Sequence, residues 1–195
     1  TSSRAFFPAE LGAGSGGYAA ALRASQLGMK VALIDADKVG GTCLHRGCIP
    51  TKAYLHAAET ADAVRESEAF GILSTFQGID MAKVAAYRDS VITKLYKGLQ
   101  GLLSSRNVEI IQGWGRLVGD DAVEVDGRVL RGRHLVLATG SYSRSLPGLE
   151  IGGRIITSDQ ALQMEWVPRS AVILGGGVIG LEFASVWKSF GADVT

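Results

Sequence analysis

LGAGSGGYAAALRASQLGMKVALIDAD, residues 11–37, reads as a glycine turn, a helix and a strand in immediate succession. Glycines 12, 14 and 17 carry the Gly-x-Gly-x-x-Gly spacing. The first permits a tight turn, the second lets an anion approach the backbone, and the third lets the helix lie close to the strand. The helix, read over about Gly16 to Leu27, points its N-terminus at whatever the turn holds, and Gly28 is placed to end it. "KVALID" follows as a short apolar strand closed by Asp35, 23 residues past Gly12. An acid at that point is placed to accept hydrogen bonds from a ribose diol. Turn, helix, strand and acid together predict a dinucleotide site that includes Gly12, Gly14, Ser15, Gly16, Gly17 and Asp35.

"SAVILGGGVIGLEFASVWKSFGADVT", residues 170–195, repeats the pattern. An apolar run over 171–174 leads into Gly175, Gly177 and Gly180, then a helix, then a strand over 192–195. Its acid would fall beyond Thr195. Two such turns, 163 residues apart, predict two dinucleotides, one per domain. Between them, residues 52–66 read as a helix. Asp80 is placed to cap a longer one, with Val84, Val91, Leu95, Leu99 and Leu102 at helical spacing. After Asn107 the pattern changes to short strands, with an Asp126–Gly127 hairpin turn and "HLVLATG" as one more apolar strand. Gly and Pro between 147 and 153 read as a connection. The predicted domains are 1–148, a connection over 149–168, and the start of a second domain over 169–195.

Of the 195 residues, 47% are hydrophobic and 20% charged, with a net charge of +1. That balance lacks the basic footprint of a nucleic-acid or anionic-membrane binder. No apolar run approaches the ~18 residues of a membrane span, and no signal peptide is recognisable. Two cysteines are too few for a secreted disulfide scaffold. These bounds describe a soluble, cytoplasmic glycine-loop protein.

Both cysteines lie in "GGTCLHRGCIPTK", residues 40–52. In a regular helix, residues five apart are separated by ~7.5 Å along the axis, whereas a disulfide needs Cα atoms within ~6.8 Å. Cys43 and Cys48 can pair only in a distorted segment, and Gly47 and Pro50 supply the means. Such a bond is more readily reduced than a structural one, and a helix starting there would favour thiolate. A cycling redox pair fits best. The alternatives are two unrelated thiols, or a metal module using Cys43, His45, Cys48 and His56. For the latter His45 has the wrong spacing, and no metal site is expected. His134, among Arg128, Arg131 and Arg133, reads as a solvated hairpin face.

"GGTCLHRGCIPTK" resembles the redox-active segment of the flavin-dependent pyridine nucleotide–disulfide oxidoreductases. "CLHRGCIPTK", "LYKGLQGL" and "GGGVIGLEFASVWKSFG" look most like the branch that reoxidises protein-bound dihydrolipoamide, and the likeness runs from about Leu11 to Thr195. The resemblance implies an α/β chain: a Rossmann-like FAD-binding domain, then a truncated start of a Rossmann-like NAD-binding domain. It implies FAD on Gly12–Gly17, with Asp35, shorter than the commoner Glu, on the adenosine ribose. Gly41, Thr42 and Lys52 would flank the flavin, and Gly115, Thr139 and Gly140 would close over the cofactor. Gly175, Gly177, Val178, Ile179, Gly180 and Glu182 would begin the NAD site. Cys48 would face the flavin, Cys43 would exchange with the dithiol, and Lys52 and Glu182 would pair. The implied partners are a second copy in a homodimer and the lipoyl domains of 2-oxoacid dehydrogenase complexes. The alternatives are a reductase of the glutathione or mercuric-ion type, or a non-enzymatic remnant.

One departure bears on the fold. The family places a buried parallel strand before the first glycine turn, where this chain has "TSSRAFFPAEL". Pro8 cannot donate to a ladder and Glu10 would bury a charge, so a central strand is not expected there. A chain opening at Thr1 and ending in a strand barely begun is read as a fragment, or as a gene product with damaged ends.

Overall fold

A computed structural model describes residues 5–6 and 9–195. The chain divides into two compact units, each discontinuous in sequence: residues up to His45 with Lys94–Tyr142, and Arg46–Thr93 with Ser143–Thr195. This division runs across the boundaries read from the sequence, because residues 46–93 join the C-terminal stretch.

The first unit contains β1 (Ala5–Phe6), β2 (Ala9–Leu11), α1 (Ser15–Gln26), β3 (Ala32–Asp35) and most of α2 (Gly41–Arg46). After the excursion it resumes with β4 (Glu109–Gln112), β5 (Gly115–Gly119), β6 (Ala122–Val125), β7 (Arg128–Gly132) and β8 (Leu135–Leu137). One sheet has the order β4-β3-β2-β8, every pair parallel. The expectation against a central first strand is therefore wrong. β2 lies in the middle, its Glu10 peptide opposite Leu33 on one side and Val136 on the other. The strand begins only after Pro8, which lies outside the described residues, so no proline interrupts the three paired residues. The second sheet, β1-β7-β6-β5, is an antiparallel meander with β1 added in parallel. Asp126 and Gly127 make its β6–β7 turn with φ of 48° and 77°, the positive values that a two-residue hairpin requires.

α4 (Met81–Ser105) contributes to both units. Asp80 caps it, Oδ1 accepting the Lys83 N–H at 3.1 Å, as its position predicted. That bond, with the neighbouring Lys83 side chain, holds the Asp80 carboxyl below its usual range. The apolar face is shifted from the one read in the sequence: Leu95 and Leu102 are exposed, while Leu103 is fully buried. The observed stripe is Met81, Val84 and Arg88 in the second unit, then Tyr96, Leu99 and Leu103 in the first. Its 3–4 spacing passes through an arginine and then skips one position between Arg88 and Tyr96, which a search for apolar residues alone does not follow.

The second unit also holds α3 (Cys48–Glu66), a 3-10 turn (Ser67–Phe70), α5 (Ser158–Ala161), β9 (Ser170–Ala171), α6 (Val178–Phe190) and β10 (Asp193–Val194). β9 and β10 pair in parallel, and Ile173 N–H extends the ladder to the Thr195 carbonyl at 2.8 Å. Tyr54 and Ala58 of α3 pack against Phe183, Val186, Trp187 and Phe190 of α6. Arg88, only 7% exposed, is the buried cation of this core. Its guanidinium donates to the Tyr54 hydroxyl at 2.9 Å, to the Leu162 carbonyl, and to Asp89 at 2.8 Å. Tyr54 in turn donates to the Leu162 carbonyl at 3.0 Å. Burial draws the Arg88 pKa down, but its bonds to Asp89 and Tyr54 outweigh this and raise it. Each buried polar atom thus has a partner.

Burial pushes the Tyr54 hydroxyl above its ordinary pKa, against the opposing pull of Arg88. The folded state holds that proton more tightly than the unfolded one. Its contribution is complete below about pH 10, the unfolded tyrosine value, and is lost as pH rises past it. Urea unfolding should show Tyr54→Phe less stable by about 1 kcal/mol at pH 7. Above about pH 10 that gap should narrow. A gap that stays constant or widens would refute the assignment.

Candidate functional site

The first glycine turn is closed by its own backbone. Gly12, at φ 104°, donates to the Ile34 carbonyl at 2.8 Å, and a Cβ there would lie 2.1 Å from the Ala138 carbonyl oxygen. A Cβ at Gly17 would lie 1.7 Å from the Gly12 carbonyl oxygen. The third glycine is therefore required for the helix to start where it does. Gly41 meets the turn from α2, where a Cβ would lie 2.6 Å from the Gly14 Cα. Gly14 itself differs. Its φ of −70° and ψ of −172° suit any residue, and a Cβ there would meet only the Gly41 Cα at 3.9 Å. Among the described residues no contact demands a glycine at 14. The space its missing side chain leaves lies at the N-cap of α1, the helix end that favours negative charge.

Asp35 stands at the end of β3 under this turn. Oδ2 accepts the Ala13 N–H at 2.6 Å and Oδ1 the Asp37 N–H at 2.8 Å. The Ala13 carbonyl accepts the Gly40 N–H at 2.8 Å. Ala13, Gly40 and Ala138 are thus parts of the site that the motif alone did not single out. Their signal is only adjacency to Gly12, Gly41 and Thr139. Thr139 and Gly140 follow the Ala138 carbonyl that Gly12 packs against. Gly115 belongs to the packing beneath, its Cβ position filled by the Leu11, Val123 and Ile34 side chains.

The second turn repeats the backbone geometry, although nothing lies within 4 Å of the Gly175 Cβ position where Gly12 meets Ala138. Gly175 has φ 106° against 104° at Gly12. Gly177 caps α6 at φ −75° and ψ 171°. A Cβ at Gly180 would lie 2.3 Å from the Gly175 carbonyl oxygen. Gly177 has nothing within 4 Å of its Cβ position, where Gly14 has only the Gly41 Cα at 3.9 Å. Val178 and Ile179, the first residues of α6, are exposed.

The cysteine segment is broken where the sequence required. α2 ends at Arg46 and α3 begins at Cys48, with Gly47 between them at φ −138° and ψ −115°. Cys43 is half-buried on α2 and Cys48 is exposed at the start of α3. Pro50 is tolerated because the first turn of a helix lacks partners for its N–H groups. Thr51 ties that turn down, its N–H and hydroxyl both donating to the Gly47 carbonyl, at 3.1 Å and 2.7 Å. His45 is occupied locally: Nε2 donates to the Val39 carbonyl at 2.9 Å, and its ring meets the edge of Tyr96 at 5.2 Å. His56 faces Glu59 at 3.5 Å. Among the described residues no group of three His, Cys, Asp or Glu is placed to hold a metal ion. One turn into α3, Lys52 donates to Glu182 Oε1, near the start of α6. These two residues, 130 apart in sequence, meet as expected.

The family pattern described as pyridine nucleotide-disulphide oxidoreductase matches residues 11–195. The chain belongs to this oxidoreductase family. It is 42% identical to the dihydrolipoyl dehydrogenase of Bacillus subtilis (strain 168) over 95% of its own length and 42% of that protein. It is 41% identical to the dihydrolipoyl dehydrogenase of Thermus scotoductus over 95% of its length and 40% of that protein. Among solved structures, the HOCl-induced flavoprotein disulfide reductase RclA of Escherichia coli, in a Cu(II) complex, aligns with a TM-score of 0.78 and 26% identity. That alignment covers 98% of this chain and 42% of the RclA chain. The chain thus spans about two fifths of the length of these relatives. No helix among the described residues is long and apolar enough to cross a membrane.

The contact at Gly17 makes a clear prediction. Gly17→Ala should destabilise the chain by about 3 kcal/mol, the upper end of overpacking costs. Gly98→Ala, mid-α4 with nothing within 4 Å of the added methyl, should instead stabilise it by about 0.5–1 kcal/mol. Equal effects of the two in urea unfolding would show that the close approach at Gly17 is not what the turn depends on.

Proposed function

We propose that this chain is part of a flavin-dependent oxidoreductase that reoxidises protein-bound dihydrolipoamide through a Cys43–Cys48 disulfide. FAD would lie on the first turn and NAD on the second. The observation carrying this reading is the pair of matching glycine turns flanking a broken dicysteine segment. At both turns the second glycine is unexplained by any contact among the described residues, as a site for a pyrophosphate requires.

On this reading residues 1–148 are the FAD domain, 149–168 the connection and 169–195 the start of the NAD domain. The turn from Gly12 to Gly17 would hold the FAD pyrophosphate at the α1 N-terminus. Asp35 already holds the Ala13 N–H, and the remaining lone pairs of its carboxylate would accept from the ribose. Gly41, Thr42, Lys52, Gly115, Thr139 and Gly140 would line the rest, and Gly175 to Gly180, with Val178, Ile179 and Glu182, the nicotinamide side. In the first half-reaction a substrate thiolate attacks Cys43 Sγ of the disulfide. The Cys43–Cys48 bond breaks, and Cys48 leaves as thiolate. The second substrate thiol releases its proton to solvent and, as thiolate, attacks the substrate sulfur bound to Cys43. That mixed-disulfide bond breaks, Cys43 leaves as thiolate, and the cyclic disulfide of the product closes. Two electrons and two sulfur–sulfur exchanges balance, and the chain is left with two reduced cysteines. FAD, when bound, supplies the two-electron relay from that dithiol to NAD+. Lys52, held by Glu182, would place a positive charge where negative charge develops on reduction.

The parent protein would be a cytoplasmic homodimer serving the lipoyl domains of 2-oxoacid dehydrogenase complexes. The likeness to two dihydrolipoyl dehydrogenases supports this. A second reading, turnover of a different disulfide or oxidant, is favoured by the likeness to the RclA reductase. In the full-length protein, Cys43→Ser and Cys48→Ser should each lower dihydrolipoamide:NAD+ turnover by at least ~10³-fold, since each sulfur is covalently required. Alkylation before and after mild reduction should differ by two thiols. Turnover surviving either substitution would overturn the mechanism, and faster turnover of another disulfide would favour the second reading.

A further inference from the structure

α3 and α6 are joined by a polar cluster far from the cysteine end. The Ser189 hydroxyl donates to Asp62 Oδ2 at 2.5 Å. Arg65 donates to Asp62 Oδ1 at 2.7 Å and to the Ser189 carbonyl at 2.6 Å. Its guanidinium also lies 3.9 Å from the Phe76 ring centroid. Ser189 is in the last turn of α6, where the carbonyls lack helical partners and the dipole is negative. Arg65 therefore satisfies an orphan acceptor and complements the dipole in one contact.

The rest of the seam has no such selectivity. Tyr54 and Ala58 against Phe183, Val186, Trp187 and Phe190 is an apolar contact, and apolar contact is non-directional. A slip of one helical turn, about 5.4 Å, would exchange one set of apolar neighbours for another. It would break all three bonds of the polar cluster, one part-buried and two exposed, and directional polar contacts are the features that specify register between helices. At the other end, Lys52 and Glu182 are joined by one contact, and the lysine side chain is 57% exposed. One contact, with Glu182 itself 20% exposed, leaves fewer directional bonds to choose a register than the three at the other end. The stronger end sets the weaker.

We propose that Asp62, Arg65 and Ser189 form a register clasp that positions Glu182 against Lys52. They are positioning residues, acting through α6 and touching neither cofactor nor substrate. The functional value of the clasp rests on the reading of Lys52 and Glu182 given above, but the clasp itself does not.

Zero-length carbodiimide coupling, read by mass spectrometry in the purified chain without flavin, tests it. The parent should form a Lys52–Glu182 amide. Ser189→Ala, Arg65→Met and the near-isosteric Asp62→Asn should each lower its yield at least fivefold, with helix content by circular dichroism unchanged. Arg65→Lys should recover part of it. Tyr54→Phe, which weakens the seam without touching the clasp, should leave the yield within twofold of the parent. Parent-level coupling in folded Ser189→Ala and Arg65→Met would overturn the proposal. So would an equal loss in Tyr54→Phe, which would make seam stability the cause. Because no flavin is present, this outcome is independent of whether FAD binds.

Discussion

The close approach of α1 to the turn before it is the constraint that organises the first unit. With hydrogen alone at Gly17, the helix begins almost on top of the Gly12 carbonyl, and its N-terminal N–H groups are left pointing past the strand ends. Gly12, bent to positive φ, in turn accepts the Ala138 carbonyl against its Cα. β2, β3 and β8 deliver these pieces to one sheet end, where ligands bind in parallel α/β sheets. Asp35 and Gly40 then hold Ala13 by its N–H and its carbonyl. The turn is thus fixed before any ligand arrives, which reduces the ordering cost of binding.

In the second unit the same turn recurs, but the packing depends on α3. That helix starts at a cysteine, carries a lysine to α6, buries Tyr54 under Arg88, and ends in the Asp62–Arg65 cluster. An apolar seam alone would hold it loosely in register. The polar cluster at its end, Asp62 and Arg65 with Ser189, gives it one position. Since α3 begins at Cys48 and α6 at the second glycine turn, that position relates the Cys48 end of α3 to that turn.

Most of this was legible in the sequence where local chemistry decides the outcome. The two glycine turns, the Asp80 cap, the Asp126–Gly127 hairpin and the Gly28 stop each follow from residues within a few positions of one another. The break at Gly47 was legible for the same reason. Misreadings came where distant partners decide. Residues 9–11 make a central strand because β3 and β8 offer ladders on both sides, and no propensity within three residues records that. The face of α4 differs at Leu102 because Arg88, a charged residue, occupies a core position that Asp89, Tyr54 and the Leu162 carbonyl make tolerable. The Lys52–Glu182 contact follows from setting the cysteine segment against the second glycine turn, not from any local pattern.

The account stands on the second glycine of the first turn being kept for a ligand. Gly14→Val places its side chain in the open space at the N-cap of α1, at a backbone geometry any residue adopts, so the fold should survive. Titrating FAD into the parent chain, followed by quenching of flavin fluorescence, should show saturable one-to-one binding. In Gly14→Val, with an unchanged circular dichroism spectrum, affinity should fall at least 100-fold. Binding that is equally tight in the two proteins, or absent from the folded parent, would contradict the account.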